Sequence, residues 1–434
     1  MAKIPPLPFR DHMKPCATPL SLHGSQRIKY RAGWEKRMDL AYNQDAERFR
    51  AELRDFIAAN WPLPDEVGSA VERTAEFHRR AIARGFMFRH IPEAFGGSEQ
   101  PVDFVKNEII KEEFARTDAP REPQTVGLQR VVPLLLHWGT EAQKQRFIPP
   151  TVRSEIYWAQ GYSEPNAGSD LAAVSTRAEL VGDRWIINGQ KVWSSNAYKS
   201  DFMHALVRTD SEPRHKGLSY FLIDLRQPGV EIRRIRQITG ESEFCEVFFT
   251  DAVAPLDALV GGRGNGWLVS KTTLHHERAG FRSVQWLESL LRRLVRLAKR
   301  AERNGLPSIE DARVRSDLAR VEARLQAMRY SAYRAFSMEI ACEEPGPYLL
   351  TQKLYLTDTV QMIERLARDL IGEDYLLVRP GDAEQGGHRD SLKWIELALH
   401  SLKIAIAGGS SNIQRNIIAE RGLGLPKDFT FTGM

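Results

Sequence analysis

Hydrophobic positions recur at two different periods along this 434-residue chain, and the change of period divides it into three regions. From about residue 43 to residue 153, apolar residues such as Phe49 and Leu53 recur at three- and four-residue steps, which predicts amphipathic helices. Thr140 and Gln143 have the spacing of a capping box and indicate where one of these helices begins. The first region is therefore predicted to be a helical domain over residues 38–158.

The period changes to two from Ala159 to about Val260, which predicts β-strands. Gly182-Asp183 and Asn188-Gly189 are predicted to be hairpin turns between neighbouring strands. The predicted strands cover 175–180, 184–187, 190–195, 202–207, 219–224 and 246–249. We expect a central antiparallel domain over residues 159–262, folded as a small barrel or sandwich.

Helical periodicity returns from Gly266 onward. One long helix is predicted to carry Val284, Leu287, Leu291 and Leu294 on a single face. Further helical patterns cover about 309–342, 347–370 and 390–406, and the last one stops at Gly422. Residues 263–434 are therefore predicted to form a C-terminal helical domain, and the fold class is α+β.

The net charge of +5 is located in an N-terminal arm. Residues 1–37 contain eight Lys and Arg against two acidic residues, so their charge of +6 leaves about −1 for the rest of the chain. This distribution argues against a nucleic-acid partner. The arm is rich in proline, which argues against an organellar transit peptide, and it could instead contact a neighbouring subunit.

Cysteine usage and hydropathy place the chain in a reducing, aqueous compartment, which we interpret as the cytoplasm. Cys16, Cys245 and Cys342 lie far apart and have no spacing typical of a metal or redox pair. No apolar run approaches the roughly 20 residues needed to cross a bilayer, so no membrane association is predicted.

Two short blocks in the central region carry the most specific signal. The first runs from Tyr162 to Asp170 and reads YSEPNAGSD, which is a tight loop with hydroxyl groups. The second runs from Asn188 to Asn196 and reads NGQKVWSSN, where an aromatic residue is followed by two hydroxyls. Either block alone is common in turns, but both in this order resemble the flavin-binding signature of the acyl-CoA dehydrogenase family. The resemblance covers about residues 38–434 and implies a C-terminal four-helix bundle.

The resemblance implies FAD as cofactor and assigns roles to residues of both blocks. Ser163 is expected to bond the flavin ring, Ser169 to lie near the phosphates and the thioester, Trp193 to pack along the flavin, and Ser195 to contact the flavin near N5. The implied cofactor-binding residues are Tyr162, Ser163, Gly168, Ser169, Trp193, Ser195, Arg303 and Gly372.

Glu277 is the predicted catalytic base. It precedes Val284 by seven residues, nearly two helical turns, so a continuous helix would place its carboxylate on the apolar face. Burial there would raise its pKa towards neutrality, and the alternative interpretation is a buried ion pair with Arg278 or with an arginine distant in sequence. The family places its base either at the position of Glu277 or near the C terminus, where this chain has Gly408. Gly408 can still offer a backbone N–H to the thioester oxygen.

The remaining assignments concern Arg303, Gly372 and the substrate contacts. Arg303 aligns with an arginine that reaches the FAD pyrophosphate of an adjacent subunit, and Gly372 matches a glycine turn close to the cofactor, but a solvated arginine is an equal alternative at Arg303. Ser169 and Arg278 are the predicted substrate contacts. His275 and His276 lack partners at ligand spacing, so no metal site is expected.

The predicted reaction is α,β-dehydrogenation of an acyl-CoA to the trans-2-enoyl-CoA, with electrons passed to an external flavoprotein. The helix-borne glutamate is similar to that of isovaleryl, long-chain and steroid side-chain members, so fatty acid or steroid side-chain degradation is implied. The alternatives are altered chemistry, as in an oxidase, monooxygenase or desulfinase, and a non-catalytic subunit of a mixed tetramer. A homotetramer or heterotetramer is expected.

Overall fold

The computed structural model describes residues 43–212, 214–280, 284–340, 350–373, 375 and 389–426. The predicted arm over residues 1–37 lies outside this part of the chain. Within the described residues, no helix combines the length and the apolar character that a membrane crossing requires.

Five helices form the N-terminal region: α1 Gln44–Asn60, α2 Ala70–Ala83, α3 Phe104–Ala115, α4 Val132–Trp138 and α5 Glu141–Val152. Four of them, α1, α2, α3 and α5, begin at a side chain that accepts a free backbone N–H of the first turn, whereas α4 has no such cap. The predicted capping box of Thr140 and Gln143 is confirmed at the start of α5. Leu53 of α1 and Phe77 of α2 are fully buried in the core that these helices share.

The central region is one eight-stranded sheet. Its strands are β1 Trp158–Gly161, β2 Arg177–Val181, β3 Arg184–Lys191, β4 Phe202–Arg208, β5 Leu218–Asp224, β6 Val230–Ile235, β7 Phe244–Pro255 and β8 Leu259–Val260. Their order is β6-β7-β3-β2-β4-β5-β8, with β1 also paired to β4. Most pairings are antiparallel as predicted, but β1 and β2 run parallel to β4. The long connection through the two sequence blocks supplies the crossover that a parallel pair requires.

The two predicted hairpin turns have different outcomes. Gly182-Asp183 joins β2 to β3 as predicted, with Gly182 in the left-handed region at φ +63°. The prediction of a turn at Asn188-Gly189 is wrong, because β3 continues through both residues and carries an irregularity in its pairing with β7 there. Asn188 exchanges two 2.9 Å hydrogen bonds with Asp251 on β7, so the Asn-Gly pair accommodates a bulge.

The C-terminal region contains α6 Gly266–Gly280, α7 Gln285–Arg300, α8 Ala312–Ile340, α9 Gln352–Ile371, α10 Arg389–Ile406 and α11 Ser411–Ile417. A short hairpin of β9 Glu302–Arg303 and β10 Leu306–Pro307 separates α7 from α8. The face predicted from Leu287, Leu291 and Leu294 is buried in the core that α7, α8 and α9 share. The prediction of a single long helix is wrong, however, because α7 begins only at Gln285 and Val284 is its N-cap.

Candidate active site

A buried ion pair joins the two sequence blocks. Glu164, in the first block, and Lys191, in the second, lie with Oε1 and Nζ 2.7 Å apart, and their side chains are 4% and 0% exposed. The Lys191 ammonium also donates to the carbonyls of Leu206 at 2.7 Å and Tyr162 at 3.3 Å. All three ammonium protons therefore have acceptors, which a buried lysine needs if it is to remain charged.

The Glu164 carboxylate is equally well supplied with donors. It accepts from the N–H and hydroxyl of Ser175 at 2.6 and 2.8 Å and from the N–H of Thr176 at 3.0 Å. Burial would raise the pKa of Glu164, but the Lys191 charge and these hydrogen bonds outweigh it and lower the pKa to about 2. Sequence reasoning missed this pair, although Lys191 continues the alternate buried positions of Trp185 and Ile187 on β3.

Trp193 lies on a strained and exposed turn just after β3. Its φ is +60°, which is unusual for a bulky side chain, and the residue is 58% exposed. The indole contacts Phe244 edge-on, with the ring centroids 5.8 Å apart. The N–H of Ser194 donates to the carbonyl of Cys245 at 3.0 Å, and its carbonyl accepts from the N–H of Cys245 at 3.2 Å. The N–H groups of the two neighbouring residues, Trp193 and Ser195, have no acceptor among the described residues.

The first block presents Ser163 towards the second. Its carbonyl accepts from the N–H of Val192 at 2.9 Å, so the two loops are also joined through their backbones. The side chain of Ser163 is half-buried, as is that of Ser195. Gly168 and Ser169 are exposed at the far end of the loop, and the space beside the Cα of Gly168 is open.

Tyr162 points the opposite way, into the interior, and contacts α6. Its hydroxyl lies 3.0 Å from that of Tyr220 and is hydrogen-bonded to Thr273. Glu277 follows Thr273 by one helical turn, in the last part of α6. The side chains of Glu277 and Arg278 are outside the described part of the structure. Because α6 does not continue into α7, the periodicity from Glu277 to Val284 no longer orients the carboxylate, and its role stays a prediction.

Gly408 lies in a left-handed turn after α10, with φ +66°. Its carbonyl accepts from Nε2 of Gln414 at 3.1 Å, and its N–H has no acceptor among the described residues. One turn earlier on α10, the ammonium of Lys403 donates to Glu243 at 2.7 Å and lies 5.2 Å from the centroid of Phe244. Phe244 in turn contacts Trp193, so the contacts of Lys403 connect the end of α10, next to Gly408, to the second block.

Arg303 and Gly372 lie together, but in a different place. Both line a cavity of about 450 Å³, together with Arg313, Asp317 and Arg368. Gly372 ends α9 with φ +67°, and Arg303 lies on the exposed β9, with its Nε 3.8 Å from Asp311. None of the residues from the two blocks lines this cavity.

Three family models match successive parts of the chain. The acyl-CoA dehydrogenase N-terminal domain matches residues 43–155, the middle domain 159–252 and the C-terminal domain 264–423. With the helical, sheet and helical regions in the same order, these matches define the class, and the chain belongs to the acyl-CoA dehydrogenase family. It is therefore an oxidoreductase, and the predicted fold class is confirmed.

The chain is also similar to individual members of this family. The chain is 40% identical to Acyl-CoA dehydrogenase IpdE1 of Mycobacterium tuberculosis, over 89% of this chain and 99% of that protein. It is 32% identical to Acyl-CoA dehydrogenase FadE34 of the same organism, over 84% of this chain and 49% of that protein. Among solved structures, the Tcur3481-Tcur3483 steroid ACAD has a TM-score of 0.72 and 28% identity, covering 90% of this chain and 100% of that one. The ChsE4-ChsE5 complex from Mycobacterium tuberculosis has a TM-score of 0.72 and 26% identity, with the same coverage.

Proposed function

We propose that the chain catalyses FAD-dependent dehydrogenation of an acyl-CoA to its trans-2-enoyl-CoA. The observation that carries this proposal is the pairing of the two blocks through Glu164 and Lys191. It holds Ser163 beside a turn that exposes the ring of Trp193 and the N–H groups of Trp193 and Ser195, for which the described part of the chain offers no acceptor. An exposed indole next to fixed donors suits a flat ligand with polar edges.

The residues present fit a flavin. Trp193 would cover its ring, while Ser163, Ser195 and the backbone N–H groups of Trp193 and Ser195 would bond its polar edge. When bound, FAD supplies the hydride acceptor at N5. The strain at Trp193 supports this interpretation, since unfavourable backbone conformations of bulky residues cluster at ligand sites.

The chain itself must remove the α-proton and stabilise the charge that develops on the thioester oxygen. Glu277 takes the proton in our proposal, because the alternative position of the family is Gly408, which has no side chain. The N–H of Gly408, which has no acceptor within the residues that the structure describes, donates to the thioester oxygen, and a fixed donor of this kind is worth about 3–4 kcal/mol. Arg278 and Ser169 are assigned to the CoA thioester.

The cavity lined by Arg303 and Gly372 suggests how the remainder of FAD is held. Arg303 and Gly372 line it at a distance from the two blocks, and arginine is well suited to phosphate through its forked donors. We assign this cavity to the pyrophosphate of FAD bound mainly by a neighbouring subunit. One of the solved relatives is described as the ChsE4-ChsE5 complex, so we propose a heterotetramer with a partner chain of the same family and keep a homotetramer as the alternative.

The relatives also suggest a substrate class. A solved relative is described as a steroid ACAD, and the helix-borne glutamate resembles that of members acting on bulky acyl groups. We therefore propose a CoA thioester of a steroid-derived acid as substrate, with an external flavoprotein as electron acceptor. An oxidase would instead be reoxidised by air during turnover, which separates the two chemistries.

The test is anaerobic flavin bleaching by a panel of acyl-CoA thioesters, including steroid side-chain thioesters. Wild-type protein should purify yellow and bleach with at least one thioester. Glu277→Gln should bind FAD equally well but bleach at least about a hundredfold more slowly, since a general base contributes roughly 10²–10⁴-fold. Glu396→Gln, an exposed change on α10, is the matched control. Bleaching of Glu277→Gln at the wild-type rate would refute the assignment of the base.

A further inference from the structure

A chain of buried polar groups runs from the sheet to the helix that carries Glu277. His204 of β4 lies with Nδ1 2.5 Å from the hydroxyl of Tyr220 on β5. The Tyr220 hydroxyl lies 3.0 Å from that of Tyr162, which in turn bonds the hydroxyl of Thr273 on α6. All four side chains are at most 5% exposed, so solvent does not compete for these bonds.

The direction of every bond in this chain follows from its α6 end. Thr273 donates its only hydroxyl proton to the carbonyl of Ser270 at 2.8 Å, so it must accept from Tyr162. Tyr162 has then used its proton and must accept from Tyr220. By the same reasoning Tyr220 accepts from His204, which must be protonated at Nδ1. Every group in this series therefore donates towards α6, from His204 at one end to the carbonyl of Ser270 at the other.

Neither His204 nor Tyr220 changes its protonation state near neutral pH. Burial lowers the pKa of His204 to about 3, with the nearby charge of Arg130 acting in the same direction. Burial and the neighbouring Tyr162 raise the pKa of Tyr220 well above its usual value. Because His204 and Tyr220 each keep one protonation state near neutral pH, the direction of the hydrogen bonds that they make is constant there.

The hydrogen bond between Tyr162 and Thr273 joins the proposed flavin-binding loop to the helix that carries the proposed catalytic base. Tyr162 immediately precedes Ser163, and its carbonyl is held by Lys191. Thr273 lies one turn before Glu277 on α6. We propose that Tyr162 and Thr273 are positioning residues whose hydroxyl–hydroxyl bond sets the distance between the flavin-binding loop and the helix of the catalytic base, an inference that rests on the proposed function.

The test removes one hydroxyl at a time and keeps the side-chain volume. Tyr162→Phe and Thr273→Val should each lower kcat for flavin reduction about tenfold with KM and the FAD dissociation constant within about twofold, because misplacement by 1 Å costs up to about 10²-fold. The double variant should be no slower than either single one, since both remove the same bond. Thr151→Val is the matched control, because Thr151 is buried, donates to the carbonyl of Phe147 and accepts from Trp158, and neither of these partners belongs to the two blocks or to α6.

Hydrogen exchange provides a second readout that does not need activity. Amides of residues 266–280 should exchange at least about tenfold faster in Tyr162→Phe and Thr273→Val, and at the wild-type rate in Thr151→Val. Unchanged kcat together with unchanged exchange would overturn the positioning role. If wild-type protein bleaches with no thioester, the proposed function fails, and the exchange measurement alone then decides whether the bond positions α6.

Discussion

The loops around Glu164 and Lys191 and the cavity around Arg303 and Gly372 hold their charges in opposite ways. In the first, both charges are buried, are 2.7 Å apart and have partners for their remaining hydrogen-bonding groups. In the second, the Arg303 and Arg368 side chains are each 47% exposed and reach their acidic neighbours only at 3.8 and 3.6 Å. A buried, saturated pair defines one geometry within a single chain, whereas exposed and loosely paired arginines remain available to a phosphate. The first site is therefore preorganised, and the second suits a ligand that arrives with another subunit.

The largest expected effect is on the buried pair itself. Lys191→Met should lower the free energy of unfolding by about 3–5 kcal/mol, because it leaves the Glu164 carboxylate buried without a counter-charge. Chemical denaturation measures this change, and Lys216→Met, on the exposed surface of the same domain, should leave stability nearly unchanged. A loss below about 1 kcal/mol in Lys191→Met would show that the pair does not hold the loops.

Acid should weaken the same pair. The pKa of Glu164 is lowered from 4.5 to about 2, so its stabilisation is present above pH 4.5 and is lost as the pH falls towards 2. The difference corresponds to about 3 kcal/mol. Unfolding measured between pH 5 and pH 2.5 should show this loss in wild-type protein and a clearly shallower dependence in Glu164→Gln. Equal slopes for the two proteins would contradict the lowered pKa.

A substitution in the cavity should have the opposite pattern, with little effect on stability and a larger effect on FAD binding. Arg303→Met should change the free energy of unfolding by less than about 0.5 kcal/mol, since exposed ion pairs contribute little. It should weaken FAD binding about tenfold if the cavity receives the pyrophosphate, since a charge-assisted hydrogen bond is worth about 1.5–3 kcal/mol. FAD titration of the assembled protein measures the second effect, and Arg315→Met on the exposed face of α8 is the control. An unchanged FAD affinity would remove the cavity from the cofactor site.

The smallest expected effect concerns the contact between α10 and the second block. Lys403 and Glu243 are each about one-third exposed, so their coupling should be at most about 1 kcal/mol. A double-mutant cycle with Lys403→Met and Glu243→Gln measures it, and Lys393→Met on the same helix reports the effect of losing a lysine without this partner. A coupling above 2 kcal/mol would mean that this contact resembles the buried pair more than a surface one.

Local patterns were sufficient for several features. The order of helical, sheet and helical regions followed from the change of hydrophobic period, and the capping box at Thr140 and the turn at Gly182-Asp183 followed from neighbouring residues. The same local reasoning failed at Asn188-Gly189, because the pairing partner on β7 decides between a turn and a bulge. It failed again at Val284, where the apolar face of α7 continued the pattern of α6 but the helix did not.

The sequence by itself therefore determined the family of the protein, its three regions and the two blocks, because each of these features depends on residues that are close together in sequence. Only the tertiary structure decided that Glu164 meets Lys191, that Tyr162 reaches Thr273 and that Arg303 and Gly372 share one cavity. These contacts join residues from different strands and helices. Their partners are selected by burial and by the need to satisfy every buried polar group, which depend on the whole fold.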